Sequence, residues 1–266
     1  MLCKASKNSK KNSKMKSNFE HDCTMAGEIV HFVYETIFLG EDALDYDEAD
    51  VSLIDFDKDP DMQFAGADMV IFPGTKKARN IEIKAAINSA GKKLVNGKQQ
   101  SLSTFAHEIS YLNEQGIVRS GWLVDEAKES NIYVLCWFPE VQKQNEQGYT
   151  RLKTIVDIKK MDIAIIEVTA VQDMLVDELR KQESIDDFND VRQYLIDKSS
   201  DMRKHNRKTD KFGSYTMLLS SQMQEQPINL LIPKTVLIEK ACRSYTIRRK
   251  DTSSTESIEW VTIPFK

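Results

Sequence analysis

The chain has 266 residues, of which 41% are hydrophobic and 29% charged, and its net charge is −4. That is ordinary globular composition, enough for one large domain or two small ones. It excludes a uniformly basic nucleic-acid coat, so any contact to phosphates must come from local basic patches. The four cysteines, Cys3, Cys23, Cys136 and Cys242, form no CxxC pair. A zinc cluster or disulfide framework is therefore not expected, and a reducing cytoplasmic setting is. No apolar run approaches the roughly 20 residues that span a bilayer, and the N-terminus lacks the apolar segment of a signal peptide.

Residues 1–22 carry six lysines before position 17 and few apolar side chains. They read as a disordered basic tail. From Met25 the pattern turns helical: Ile29, Phe32, Val33, Ile37 and Phe38 recur at helical spacing, Thr24 suits the N-cap, and Gly40 suits the stop. Glu28 and Glu35 lie two turns apart on this helix and share a face. Residues 41–63 are rich in acids but lack the glycine and terminal glutamate of a calcium loop. They read as surface loop around a short strand, Val51 to Phe56.

The most informative stretch runs from Ala67 to Lys84. Two β-type runs, roughly 66–73 and 79–86, flank a Pro-Gly-Thr-Lys-Lys turn. Asp68 opens the first run. Glu82 and Lys84 stand two apart on the second, so they project to one face while Ile81 and Ile83 point to the other. Paired as a hairpin, the strands bring Asp68 beside Glu82 and Lys84. Converging charges are poor core material unless paired or bound to a metal.

A helix is predicted from about Ser101 to Gln115, with Leu102, Phe105, Ile109 and Leu112 at three-to-four spacing and Gly116 as its stop. A strong buried strand follows, Asn131 to Phe138, ended by Pro139. Cys136 inside it reads as a core thiol. Beyond it, the pattern predicts strands near 154–158, 162–168, 214–219, 228–232, 244–249 and 260–265. Helices are predicted near 171–181 and 186–198. The order helix, three-strand meander, helix, strand makes an α/β arrangement on a mixed sheet.

An acid opening one strand and Glu-Ile-Lys on the next, in this order of elements, resembles the PD-(D/E)xK nuclease superfamily over about residues 25–140. The chain departs from the family pattern in having Ala67 where a proline usually precedes the first acid. The resemblance implies a restriction-endonuclease-like fold, with a mixed β-sheet core flanked by helices over 23–140 and a C-terminal α+β extension over 141–266. It implies a metal-dependent nuclease hydrolysing phosphodiester bonds in DNA, in bacterial or phage defence or restriction. Hard oxygen ligands suit Mg2+ or Mn2+. The expected ligands are Asp68, Glu82, the Ile83 carbonyl and a glutamate of the first helix, Glu35 or Glu28. Lys84 would orient or activate the attacking water, or stabilise developing negative charge. Gln100, with Gln99 as its alternative, matches a glutamine that helps set the site in some members. Lys76, Lys77, Arg79, Lys92, Lys93 and Lys98 flank the site as candidate phosphate contacts. Expected partners are nucleic acid and a second copy of the chain, with no membrane. The competing reading is a non-catalytic nucleic-acid or protein binding module on the same fold, with Glu82–Lys84 as an ordinary ion pair and Asp68 as a cap. His107 and His205, as isolated histidines, are weak candidates for a catalytic base.

Overall fold

The computed structural model describes residues 24–40, 50–54, 61–62, 66–72, 77–90, 93–95, 98–100, 102–142, 152, 154–180, 185–250 and 260–265. The expected basic tail, Lys76 and Lys92 lie outside the described residues. The chain divides into two compact units, each drawn from several stretches. One takes residues up to Leu102, Ser130–Ile165 and Cys242 onward; the other takes Ser103–Glu129 and Ile166–Ala241. The expected break at residue 140 falls inside a strand of the first unit. No helix among the described residues is long and apolar enough to cross a membrane.

The first unit opens with helix α1, residues 24–33, which continues as a π-helical turn, Tyr34–Phe38. The Leu39 N–H reaches the Tyr34 carbonyl five residues back at 3.1 Å. Strands β1 (Val51–Leu53), β2 (Met69–Ile71) and β3 (Arg79–Ala85) form an antiparallel meander, in the expected places. The two-stranded hairpin β4 (Lys93–Val95) and β5 (Lys98–Gln100) follows. After β6 (Thr104–Leu112) and β7 (Val118–Ser120) of the other unit, the chain returns as β8 (Ile132–Val141), which lies parallel to β3. Strands β9 (Ile158–Glu167), β13 (Arg243–Arg249) and β14 (Trp260–Pro264) complete a mixed seven-stranded sheet, ordered β1-β2-β3-β8-β9-β13-β14.

Alternation along these strands sends one apolar set to one face. Ile81 and Ile83 of β3, Val134, Cys136 and Phe138 of β8, and Met161 and Ile163 of β9 share a core with Met25, Ile29, Val33, Ile37 and Phe38 of α1. Burial pushes the Cys136 thiol up, as expected of an inert core cysteine. Two local expectations give way. Pro139 does not end β8, which runs on to Val141. Residues 155–157 form a 3-10 turn, not a strand, where the Ile155 N–H donates to the Glu28 carboxylate at 3.0 Å.

The second unit is an antiparallel five-stranded sheet, β10-β11-β12-β6-β7, with β10 (Thr209–Phe212), β11 (Tyr215–Leu219) and β12 (Ile228–Pro233). Its helices are α2 (Val168–Arg180), α3 (Phe188–Lys204) and α4 (Lys234–Lys240). Asp187 caps α3 by accepting the N–H groups of Asn189 and Asp190 at 2.7 and 3.1 Å.

The predicted helix at 101–115 is absent: residues 104–112 form β6. Phe105, His107 and Ile109 are all buried, a period of two. Counting His107 as polar conceals that alternation and leaves the three-to-four spacing of Phe105, Ile109 and Leu112 to mimic a helix. Gly116, with φ of +74°, takes the left-handed position in the β6–β7 turn, where a side chain would strain the backbone.

His107 packs between Phe105, with ring centroids 5.6 Å apart, and Trp122, at 5.0 Å. Its Nε2 is buried without a hydrogen-bond partner among the described residues, and Nδ1 lies 3.4 Å from the Phe105 carbonyl. Burial lowers its pKa from 6.5 to about 4, the carbonyl opposing weakly. Between these values the unfolded chain binds more protons than the folded one. The stabilisation is therefore complete above pH 6.5 and lost as pH falls through 4. His107→Leu is expected to flatten the acid limb of stability by up to about 3 kcal/mol, read as the change in urea midpoint between neutral pH and pH about 4. An unchanged limb would place the buried imidazole elsewhere.

Candidate functional site

Asp68 sits one residue before β2, and its backbone N–H donates to the Ile81 carbonyl at 2.8 Å. Extending the β2–β3 register of Met69 with Ile81 by one pair sets Asp68 opposite Glu82. There the β2 backbone departs, and the Asp68 side chain continues the ladder: Oδ2 accepts the Ile83 N–H at 2.6 Å. Alternation directs the Ile81 carbonyl and the Ile83 N–H toward β2, so it directs the Ile83 carbonyl there as well, past the last ladder bond and beside the Asp68 carboxylate. Three of the expected groups thus gather at one end of the β2–β3 pair.

Glu82 is only 4% exposed, and both its oxygens are engaged. Oε1 pairs with Lys84 Nζ at 2.6 Å, the i, i+2 neighbour on the same face, and the Lys84 side chain keeps 27% of its surface open. Oε2 lies 2.9 Å from Ser130 Oγ, which is also 2.9 Å from the Gly66 carbonyl. A hydroxyl carries one proton, so Ser130 donates to one of these at a time. Gly66 adopts φ of +81°, a left-handed turn that brings its carbonyl back toward Ser130 just before Asp68. The parallel β3–β8 register puts Tyr133 against Glu82, and burial, with the Glu82 charge behind it, pushes the Tyr133 phenol up.

Ser130 was not among the expected site residues. Its only sequence signal is a polar Ser-Asn pair ahead of the apolar run of β8; the contact depends on the crossover register between β3 and β8. Ser130→Ala is expected to cost about 1–3 kcal/mol, since a buried carboxylate loses a donor. The check is equilibrium unfolding in urea, and a neutral result would show that Oε2 finds another partner.

The remaining expected residues fall elsewhere. Glu35 is exposed, on the helix that packs against the opposite, Ile81–Ile83 face of β3. Glu28 is committed to the Ile155 N–H. Periodicity puts both glutamates on one helix face but not that face toward the acids. Gln99 and Gln100 lie in the hairpin strand β5, not at a helix start, and Lys93 and Lys98 bound the same hairpin. Lys77 is exposed and Arg79 half-buried at the start of β3. His205 is an exposed partner of Asp201 at 3.3 Å. Among the described residues, no three histidines, cysteines, aspartates or glutamates cluster as a metal site.

Comparison with known protein families, characterised proteins and solved structures returned no match to this chain.

Proposed function

We propose that the chain is a metal-dependent phosphodiester hydrolase acting on nucleic acid, with its site at the Asp68 end of the β2–β3 pair. The observation that carries this reading is the Asp68 carboxylate bonded to the Ile83 N–H at the end of the β2–β3 pair, with the Glu82–Lys84 pair on the residues of β3 either side. The meander followed by a parallel fourth strand, ordered β1-β2-β3-β8, supports this reading, while the connection from β3 to β8 carries strands β6 and β7 where the resemblance implies a helix.

The donor set suits a small hard cation. Mg2+ is held by one or two carboxylates and keeps several waters, so two side chains and a carbonyl suffice without a larger cluster. Asp68, Glu82 and the Ile83 carbonyl would hold it. When bound, such an ion polarises a phosphoryl oxygen and lowers the pKa of water. Lys84, already within 2.6 Å of Glu82, would present its ammonium to the phosphate oxygen or the attacking water and offset developing negative charge. Ser130 holds the Glu82 carboxylate in place from its other oxygen.

The engagement of both Glu82 oxygens also favours a second reading, a nucleic-acid-binding module in which the pair is structural. Incubation of the purified protein with plasmid and single-stranded substrates, in Mg2+ or Mn2+ and in chelator, separates the two. Hydrolysis in metal alone is expected. Binding without cleavage under every metal condition would leave the second.

A further inference from the structure

The charge of the chain is unevenly spread. Residues 198–211 carry six basic side chains, Lys198, Arg203, Lys204, Arg207, Lys208 and Lys211, and two acidic ones, Asp201 and Asp210, a net of +4 in a chain whose total is −4. All of them belong to the second unit. They are gathered by the way α3 ends. Asn206 takes the left-handed conformation at φ of +48°, its N–H donates to the Arg203 carbonyl at 3.1 Å, and the Arg207 N–H reaches back to the Met202 carbonyl at 2.9 Å. This paired closure of the helix fixes the path of residues 204–208 into β10.

The acids do not neutralise the turn evenly. Arg207 pairs with Asp201 and, at 3.3 Å, with Asp210, while Lys198 Nζ lies 3.7 Å from Asp210. Arg203 points inward and donates to the Ser110 carbonyl at 3.1 Å. These contacts hold the scaffold of the turn. Lys204 and Lys208, both exposed, bracket it. Flexible ammonium groups held a few residues apart on an ordered backbone match the repeating charge of a phosphodiester chain.

We infer that the turn closing α3, with Lys204 and Lys208 as its principal contacts, docks the phosphate backbone of a nucleic acid. The contact is sequence-independent, because lysine ammoniums on phosphates carry no base information. It does not rest on hydrolysis at the Asp68 site.

The test is binding of fluorescent duplex DNA to the full chain in chelator, where no cleavage intrudes, across a salt series. The variant is Lys204→Glu with Lys208→Glu, with Lys204→Gln/Lys208→Gln as the milder form. Lys159→Glu with Lys240→Glu makes the same change in net charge at exposed positions elsewhere. The double reversal is expected to weaken binding at least about 10-fold at low salt and to reduce the salt slope by about two. The control should bind as the wild type does. Equal loss in the control would reduce the effect to net charge and overturn the assignment. So would unchanged binding in both Lys204/Lys208 variants, no binding by the wild type, or equal competition by polyglutamate. Failure here with metal-dependent cleavage intact would leave the hydrolase reading standing, and the converse holds.

Discussion

Asp68→Asn is expected to lower metal-dependent cleavage by at least about 100-fold while leaving the fold intact. Asparagine keeps an oxygen that can accept the Ile83 N–H, so the 2.6 Å bond that extends the ladder survives, but the charge that would hold a cation is gone. Loss of activity with an unchanged unfolding midpoint therefore reads as chemistry. Lys84→Ala is expected to lose as much activity, and it needs a second measurement. Removing the ammonium leaves Glu82 buried with Ser130 as its remaining described partner, a situation that itself destabilises. The pair Glu82→Gln with Lys84→Met removes both charges at similar volume. If that double variant is as stable as the wild type but inactive, stability and catalysis are separated. Wild-type cleavage by Asp68→Asn would remove the carboxylate from the reaction.

Phe138→Ala is expected to cost about 3–5 kcal/mol. Phe138 is 1% exposed on β8, in the core that α1 forms with the sheet. Its neighbours come from a helix and from strands far apart in sequence, so the space it leaves cannot close by a local shift. Against a typical total of about 5–15 kcal/mol, a loss of that size brings the domain close to unfolding at 37 °C. The urea midpoint should fall with its slope unchanged. A loss below about 1 kcal/mol would mean that this face of the sheet repacks freely, contrary to the close-packed core described above.

How much of this was legible depended on whether the deciding contacts were local. The meander was readable because its runs are rich in β-branched residues and a Pro-Gly pair separates two of them in the sequence, and Glu82 and Lys84 were readable as a pair because i, i+2 spacing in a strand fixes a shared face. Asp68 was readable as their neighbour because a hairpin register follows from a short turn. The region after Lys98 was misread. A buried histidine broke the apparent alternation of β6, and apolar residues three and four apart then suggested a helix. Glu35 was placed at the site because helical periodicity shows which residues share a face, not which way that face is turned against a sheet. Ser130 escaped notice because its contact with Glu82 joins residues 48 apart through a parallel pair whose connection runs through another unit. The interleaving of the two units was equally hidden, since none of the four crossings between them carries a Pro- or Ser-rich linker.

The central claim is that Asp68, Glu82 and the Ile83 carbonyl together form a seat for one hard divalent cation. Titration of Mn2+ into the chelator-treated protein, followed by the loss of free-ion paramagnetic resonance, measures this without reference to any substrate. The account predicts uptake of Mn2+ by the wild type, competed by Mg2+ and weakened at least about 10-fold in Asp68→Asn and in Glu82→Gln. Uptake that is absent, or equal in the wild type and both variants, would contradict it.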